Sequence, residues 1–279
     1  MAYKTILLHL HDVRRAHRLL AVALPIAAKM DAHLIALNVM PPYVVISGGE
    51  MGMATIVDAH RDAYQADVAQ LKKLFADATR VHAGKMEWRD ADAGYGSATD
   101  MIVRQGGVCD LIIASQKDQP WTMSDFLEEP ERLAIETGRP VLLVPNEGKI
   151  ASPPKRVTIA WNGRREAVRA IFDAMPLLIG ADEVNILWAH PENDQPDASD
   201  LPGAALATVL ARHGIKCLVS QSSVADTDIG GELLQQAKAF GSDLLVMGCY
   251  GHSRMREFVL GGATRDVLFQ MDRLVLMSH

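Results

Sequence analysis

At 279 residues the chain is long enough for one large domain or two of about 140. Apolar residues at 49% and charged residues at 22% exclude a disordered chain. A net charge of −6 excludes broad binding to nucleic acid or anionic membrane, which needs a positive surface.

The first element is the short apolar strand TILLHL, Thr5 to Leu10. It is too short for a signal-peptide core, and no run of about 20 apolar residues follows to span a membrane. Three cysteines (Cys109, Cys217, Cys249), odd in number and without metal-ligand spacing, fit a reducing compartment, so a cytoplasmic protein is expected. HLHD sets His9 and His11 on one face of this strand with Asp12 at its end. Alternating histidines can grip a metal, but no third ligand is assignable, and packed or hydrogen-bonded histidines are the expectation.

After a helix come HLIALNV and the stretch PPYVVISGGEMGMATIVDAHRDAYQ, whose SGGEMG (Ser47 to Gly52) reads as an inserted loop. KMEWRDA, DLIIAS and PVLLVP then supply three more strands, with helical periodicity between them. The Pro- and polar-rich segment Pro145 to Arg156 reads as a linker.

Beyond the linker the pattern repeats. RVTIAWNGRREAVRAIFDAMPLLIGADEVNILWAH matches the opening of the chain at an offset of 151, which places Arg15 on Glu166, Pro25 on Pro176 and Asp31 on Asp182. CDLIIAS matches SDLLVMG at an offset of 133, and PVLLVP matches RLVLMS at the same offset. The first copy therefore holds about 18 extra residues, expected between Pro41 and Gln65. Short apolar runs alternating with amphipathic helices predict α/β architecture: two tandem doubly wound domains, 1–148 and 154–279, each with a five-stranded parallel sheet flanked by helices.

In such domains ligands bind at the carboxyl ends of the strands, near the switch in strand order. There the second copy carries GCYGHSRMREFVLGGAT, Gly248 to Thr264. Glycines let backbone amides approach phosphate oxygens, and the following helix N-terminus adds partial positive charge. The spacing Gly248-x2-Gly251-x9-Gly261, the two-copy layout, VTIAWNGRREAVRAIFDAMPLL and the DLLVMG strand resemble the universal stress protein family over essentially the whole chain.

That resemblance implies binding of ATP, ADP or AMP, with Mg²⁺ accompanying the nucleotide. Gly248, Gly251, Gly261 and Gly262 would wrap ribose and phosphates, joined by His252, Ser253 and Arg254. Gly262 stands where a hydroxyl is expected, and Thr264 is the nearest substitute. Asn162 stands where the family places an aspartate near adenine, preceded by Ala160 and Trp161; Met247 and Ala263 complete the set. The first copy has Ser115, Asp118, Glu128, Glu129 and Glu131 at the positions of Gly248, Gly251, Gly261, Gly262 and Thr264, so its carboxylates would repel a triphosphate. It reads as a non-binding, architectural partner.

No nucleophile elbow, Walker pattern, HExxH or CxxC is present, so no catalytic residue and no metal ligand is assigned. Cys249 reads as a small loop residue before a redox thiol, and His190 and His279 as isolated structural or surface residues. The function expected is a nucleotide-dependent stress sensor or regulator with at most weak ATPase activity. The alternatives are a nucleotide-independent interaction or chaperone-like module and a weak ATP hydrolase. The family resemblance further implies that PVLLVP and RLVLMS pair within the chain as a pseudo-dimer; a homodimer of chains stays open.

Overall fold

In the computed structural model the residues described are 2–40, 50–82, 85–94, 96–116, 130–191, 203–224, 229–249 and 262–279, with backbone alone at 50–63, 131, 190, 191 and 224. The first half runs β1 (Thr5–His9), α1 (Val13–Met30), β2 (His33–Met40), α2 (Glu50–Thr79), β3 (Met86–Asp92), α3 (Ala98–Gly106), β4 (Leu111–Ser115), α4 (Pro130–Glu136) and β5 (Val141–Val144). The second runs β6 (Arg156–Ala160), α5 (Arg165–Leu178), β7 (Glu183–Pro191), α6 (Ala204–Arg212), β8 (Cys217–Val224), α7 (Ile229–Phe240), β9 (Leu244–Gly248), α8 (Ala263–Gln270) and β10 (Leu274–Ser278).

The strands form one ten-stranded sheet in the order β3-β2-β1-β4-β5-β10-β9-β6-β7-β8. Within each half the pairing is parallel. The halves meet at β5 and β10, which pair antiparallel with Leu276 opposite Leu142. Each half thus has the order 3-2-1-4-5, doubly wound as expected, and the two final strands cover what would otherwise be two open edges.

Central strands buried on both faces need apolar side chains at successive positions, and these have them. Leu8, Ile113, Leu142, Val246 and Leu276 point to the layer formed by α1, α2, α5 and α6. Leu7, Ile112, Leu143, Leu245 and Val275 point to the layer of α3, α4, α7 and α8. Each cluster runs through both halves, so the joined sheet carries a continuous apolar core on either side.

Helix ends follow local chemistry. Asp12 caps α1 by accepting from the Arg14 amide, and Asp31 closes it in the left-handed region at φ 49°. Pro25 and Pro176 both lie inside their helices, in α1 and α5. The expected inserted loop is corrected in part: Glu50 to Gly52 form the first turn of a 30-residue helix, α2, so much of the extra length is helix. Residues 47–49 lie outside the described residues.

The connection from Pro145 onward is tied down rather than free. Arg18 donates to the Pro145, Glu147 and Gly148 carbonyls, and Ser152 Oγ donates to the Val22 carbonyl at 2.8 Å. Tyr3 reaches the Asp173 carbonyl at 2.7 Å. On the other face, Gln116 donates to the Leu268 and Phe269 carbonyls and accepts from the Asn146 amide.

Candidate functional site

The strand order reverses between β6 and β9, which lie side by side with Ile159 opposite Val246. Helices leaving these two strands go to opposite faces, since α5 packs with one core and α8 with the other. A crevice therefore opens beyond the carboxyl ends of β6 and β9, the position where doubly wound sheets bind ligands. Extending the register two residues sets Trp161 level with Gly248.

On the β6 side, Ala160 packs toward the α7 and α8 core and half-buried Trp161 toward the α5 and α6 core. Trp161 Cδ1 lies 3.6 Å from where a Cβ on Gly203 would stand; that residue has φ +97° and crowds Ile186 as well. Asn162 is exposed, and its Oδ1 accepts from the Arg164 amide at 3.0 Å. With that oxygen engaged, its amide group is oriented as a donor, suited to a ring nitrogen acceptor.

On the β9 side, Met247 is buried beneath the crevice floor. Gly248 has a steric reason of its own: an added Cβ would lie 2.5 Å from the Glu166 carbonyl carbon and 2.6 Å from the Ala167 nitrogen. Glycine here lets the first turn of α5 sit directly on the end of β9. The first half carries a side chain at that position. Ser115 is accommodated there, and the residue at the Glu166 position, Arg15, bonds to Ser115 Oγ at 3.0 Å and to the Gln116 carbonyl at 3.0 Å.

Gly262 is the N-cap of α8 in an extended conformation, φ −85° and ψ 158°, without a side-chain cap. Its carbonyl accepts from the Arg265 amide at 2.9 Å. Ala263 is half-buried, and Thr264 is buried in the first turn of α8. Gly230 in α7 brings a second helix start against this one, because a Cβ there would lie 2.6 Å from Asp266 Cβ. Gly251, His252, Ser253, Arg254 and Gly261 lie outside the described residues, as do Asp118, Glu128 and Glu129 of the first half.

Three residues at the crevice were not expected from sequence to be site residues. Glu166 is 6% exposed, and its Oε1 accepts from Arg165 Nε at 2.6 Å. Burial alone would raise its carboxyl; the bonds from Arg165 and from its own backbone amide, with the Arg165 and His279 charges, hold it below the ordinary value. His279 is not isolated, since its ring nitrogen Nδ1 meets the Cys249 carbonyl at 2.9 Å. Ser278, opposite Gly248 in the ladder, has a buried Oγ with no hydrogen-bond partner among the described residues. The signal for Glu166 was present in the repeat, as an acidic residue aligned with Arg15, but a charge in the first turn of an amphipathic helix ordinarily reads as solvated.

Cys249 is fully buried, with its Sγ directed at the Ser278 carbonyl, an arrangement unlike an accessible reactive thiol. The His9 and His11 rings stack at 4.5 Å. Among the described residues no three His, Cys, Asp or Glu side chains are grouped to hold a metal ion. A shallow groove of about 630 Å³ between α6 and β8, lined by Thr208, Lys216 and Cys217, lies at the β8 edge of the sheet, with β6 and β7 between it and the strand that ends in Gly248. No described helix is long and apolar enough to cross a membrane.

No protein-family model matches the chain, and no curated protein matches it significantly. Solved structures do. A universal stress protein from Archaeoglobus fulgidus DSM 4304 aligns over 99% of this chain and 96% of its own, at 16% identity and a TM-score of 0.71. A putative universal stress protein from Pseudomonas aeruginosa UCBPP-PA14 aligns over 99% and 93%, at 18% identity and a TM-score of 0.58. A functionally unknown protein from Pseudomonas aeruginosa PAO1 aligns over 99% and 92%, at 17% identity and a TM-score of 0.53. The chain therefore has the fold of these universal stress proteins along its full length.

Proposed function

We propose that the chain is a tandem universal stress protein whose second half, 154–279, binds ATP or a related adenine nucleotide and acts as a nucleotide-dependent sensor or regulator. The observation that supports this most is the crevice between β6 and β9, flanked by Trp161 and Asn162 on one side and by Gly248 and the α8 N-terminus on the other. Trp161 offers a flat apolar surface and Asn162 a donor, both suited to an adenine ring. The start of α8 offers the positive end of the helix dipole to phosphate.

The first half acts as an architectural partner, and the β5–β10 seam makes the two halves an intrachain pseudo-dimer. Binding at the crevice would change the surface offered to a protein partner. A cytoplasmic setting fits the three free thiols. No general base is assigned toward a bound nucleotide, so turnover is not part of the proposal.

Isothermal titration with ATP, ADP and AMP tests the reading, first on the natural chain and then on Gly261→Glu, which copies Glu128 of the first half. Heat of binding that disappears in the variant is expected. Absence of heat with all three nucleotides overturns it and favours a nucleotide-independent interaction module.

A further inference from the structure

The two halves place opposite charges at the same point of the fold. In the first half Arg15, 8% exposed, lies in the first turn of α1 and bonds to Ser115 at the end of β4. In the second half Glu166, 6% exposed, lies in the first turn of α5 against Gly248 at the end of β9. A helix N-terminus beside such a crevice is where a ligand phosphate would ordinarily sit. Here that end of α5 already holds an anion belonging to the chain, close enough that its Cβ would lie 2.7 Å from a Cβ on Gly248.

We propose that Glu166 sets the charge class of the ligand at the β6–β9 crevice, admitting an adenine nucleoside or its monophosphate and discriminating against the metal-free triphosphate. This rests on the nucleotide-binding reading above. The carboxylate is buried, whereas its partner Arg165 has a side chain 81% exposed, so solvent weakens the guanidinium charge more than the carboxylate charge. Like charges a few ångströms apart in such a site repel by an amount that changes affinity about tenfold or more at an effective dielectric of about 20. A triphosphate with its metal removed carries more of that repulsion than a monophosphate, and a nucleoside carries none. The α8 N-terminus remains for the one phosphate that enters.

The test is equilibrium binding of adenosine, AMP and ATP to the full chain in a chelator at fixed salt. The natural protein is expected to bind AMP about tenfold or more tightly than ATP. Glu166→Gln is expected to raise ATP affinity about tenfold, AMP affinity less, and adenosine affinity not at all. Arg165→Ala, at an exposed side chain, is expected to lower ATP affinity in the natural background and to do so less beside Glu166→Gln. An ATP-to-AMP ratio that Glu166→Gln leaves unchanged overturns the assignment. Should Glu166→Gln fail to fold, an Arg165→Ala chain whose ratio equals the natural one overturns it equally. Failure of all three ligands to bind the natural chain instead removes the nucleotide reading on which the assignment stands.

Discussion

Asp243 holds the backbone of Arg156 as Asp110 holds that of Thr5. Asp110 Oδ2 accepts from the Lys4 and Thr5 amides at 2.7 and 2.9 Å, and Asp243 Oδ2 accepts from the Lys155 and Arg156 amides at 2.9 and 3.0 Å. Each aspartate precedes the fourth strand of its half and fastens the start of the first strand, so it sets the register of the β1–β4 or β6–β9 pair. Hydrogen bonds to a charged acceptor contribute about 1.5 to 3 kcal/mol net, less where solvent reaches them. Asp110→Ala and Asp243→Ala are each expected to cost about 1 to 2 kcal/mol in urea unfolding, and a cost below about 0.5 for both would show that the latches are incidental.

Gly248 invites a comparison between steric need and ligand need. A side chain there must displace the first turn of α5, whose backbone atoms lie 2.5 and 2.6 Å from the added Cβ. Overpacking against backbone ordinarily costs about 1 to 3 kcal/mol. Gly248→Ala is therefore expected to destabilise the chain by about that amount whether or not nucleotide is present. Thermal unfolding with and without nucleotide checks it. A variant as stable as the natural chain would remove the packing reason for this glycine.

This double role marks the limit of what the chain's pattern reveals. The repeat was legible because buried parallel strands demand runs such as DLIIAS and DLLVM, and because Pro25 and Pro176 recur in step. The β5–β10 pairing was expected from the family resemblance, and it covers two apolar edge strands. The length of α2 was not, because SGGEMG carries strong turn residues that say nothing of where a helix begins. Nor could sequence separate a glycine facing phosphate from one facing a helix turn, since both demand only the absence of a Cβ. Burial of Arg15 and Glu166 likewise depends on the angle at which their helices meet the sheet, a property of packing rather than of periodicity.

An acid-sensitive contact sits at the first half's outer edge, where β3 flanks β2. The bond from Arg89, then that from the His33 ring at 2.9 Å, holds the Glu87 carboxyl at about 2, below its ordinary 4.5. Because the folded value is the lower one, the contribution is present above about 4.5 and disappears as pH falls through about 2. The side chain is 36% exposed, so the effect is small and weakens with salt. The stability difference between the natural chain and Glu87→Gln, read from urea midpoints, is expected to be present just above pH 4.5 and to shrink progressively below it. A difference that grows on acidification would contradict the assignment.

Gly262 offers a test that separates a helix cap from a ligand contact. Its extended backbone, φ −85° and ψ 158°, admits any residue, and it caps α8 without a side-chain bond. A serine hydroxyl at an N-cap accepts from an amide in the first turn and improves on glycine by a few tenths of a kcal/mol. Gly262→Ser also restores the hydroxyl that the universal stress protein pattern places after the third glycine. Two measurements distinguish its uses. If the hydroxyl turns inward to the α8 amides, the urea midpoint rises slightly and nucleotide affinity stays level. If it turns to a bound phosphate, affinity rises several-fold while the ligand-free midpoint is unmoved. The second outcome is expected, because the N-terminus of α8 is the part of the crevice that Glu166 leaves open to phosphate. A serine that lowers affinity would instead show that the ligand backbone passes as close to residue 262 as only glycine permits.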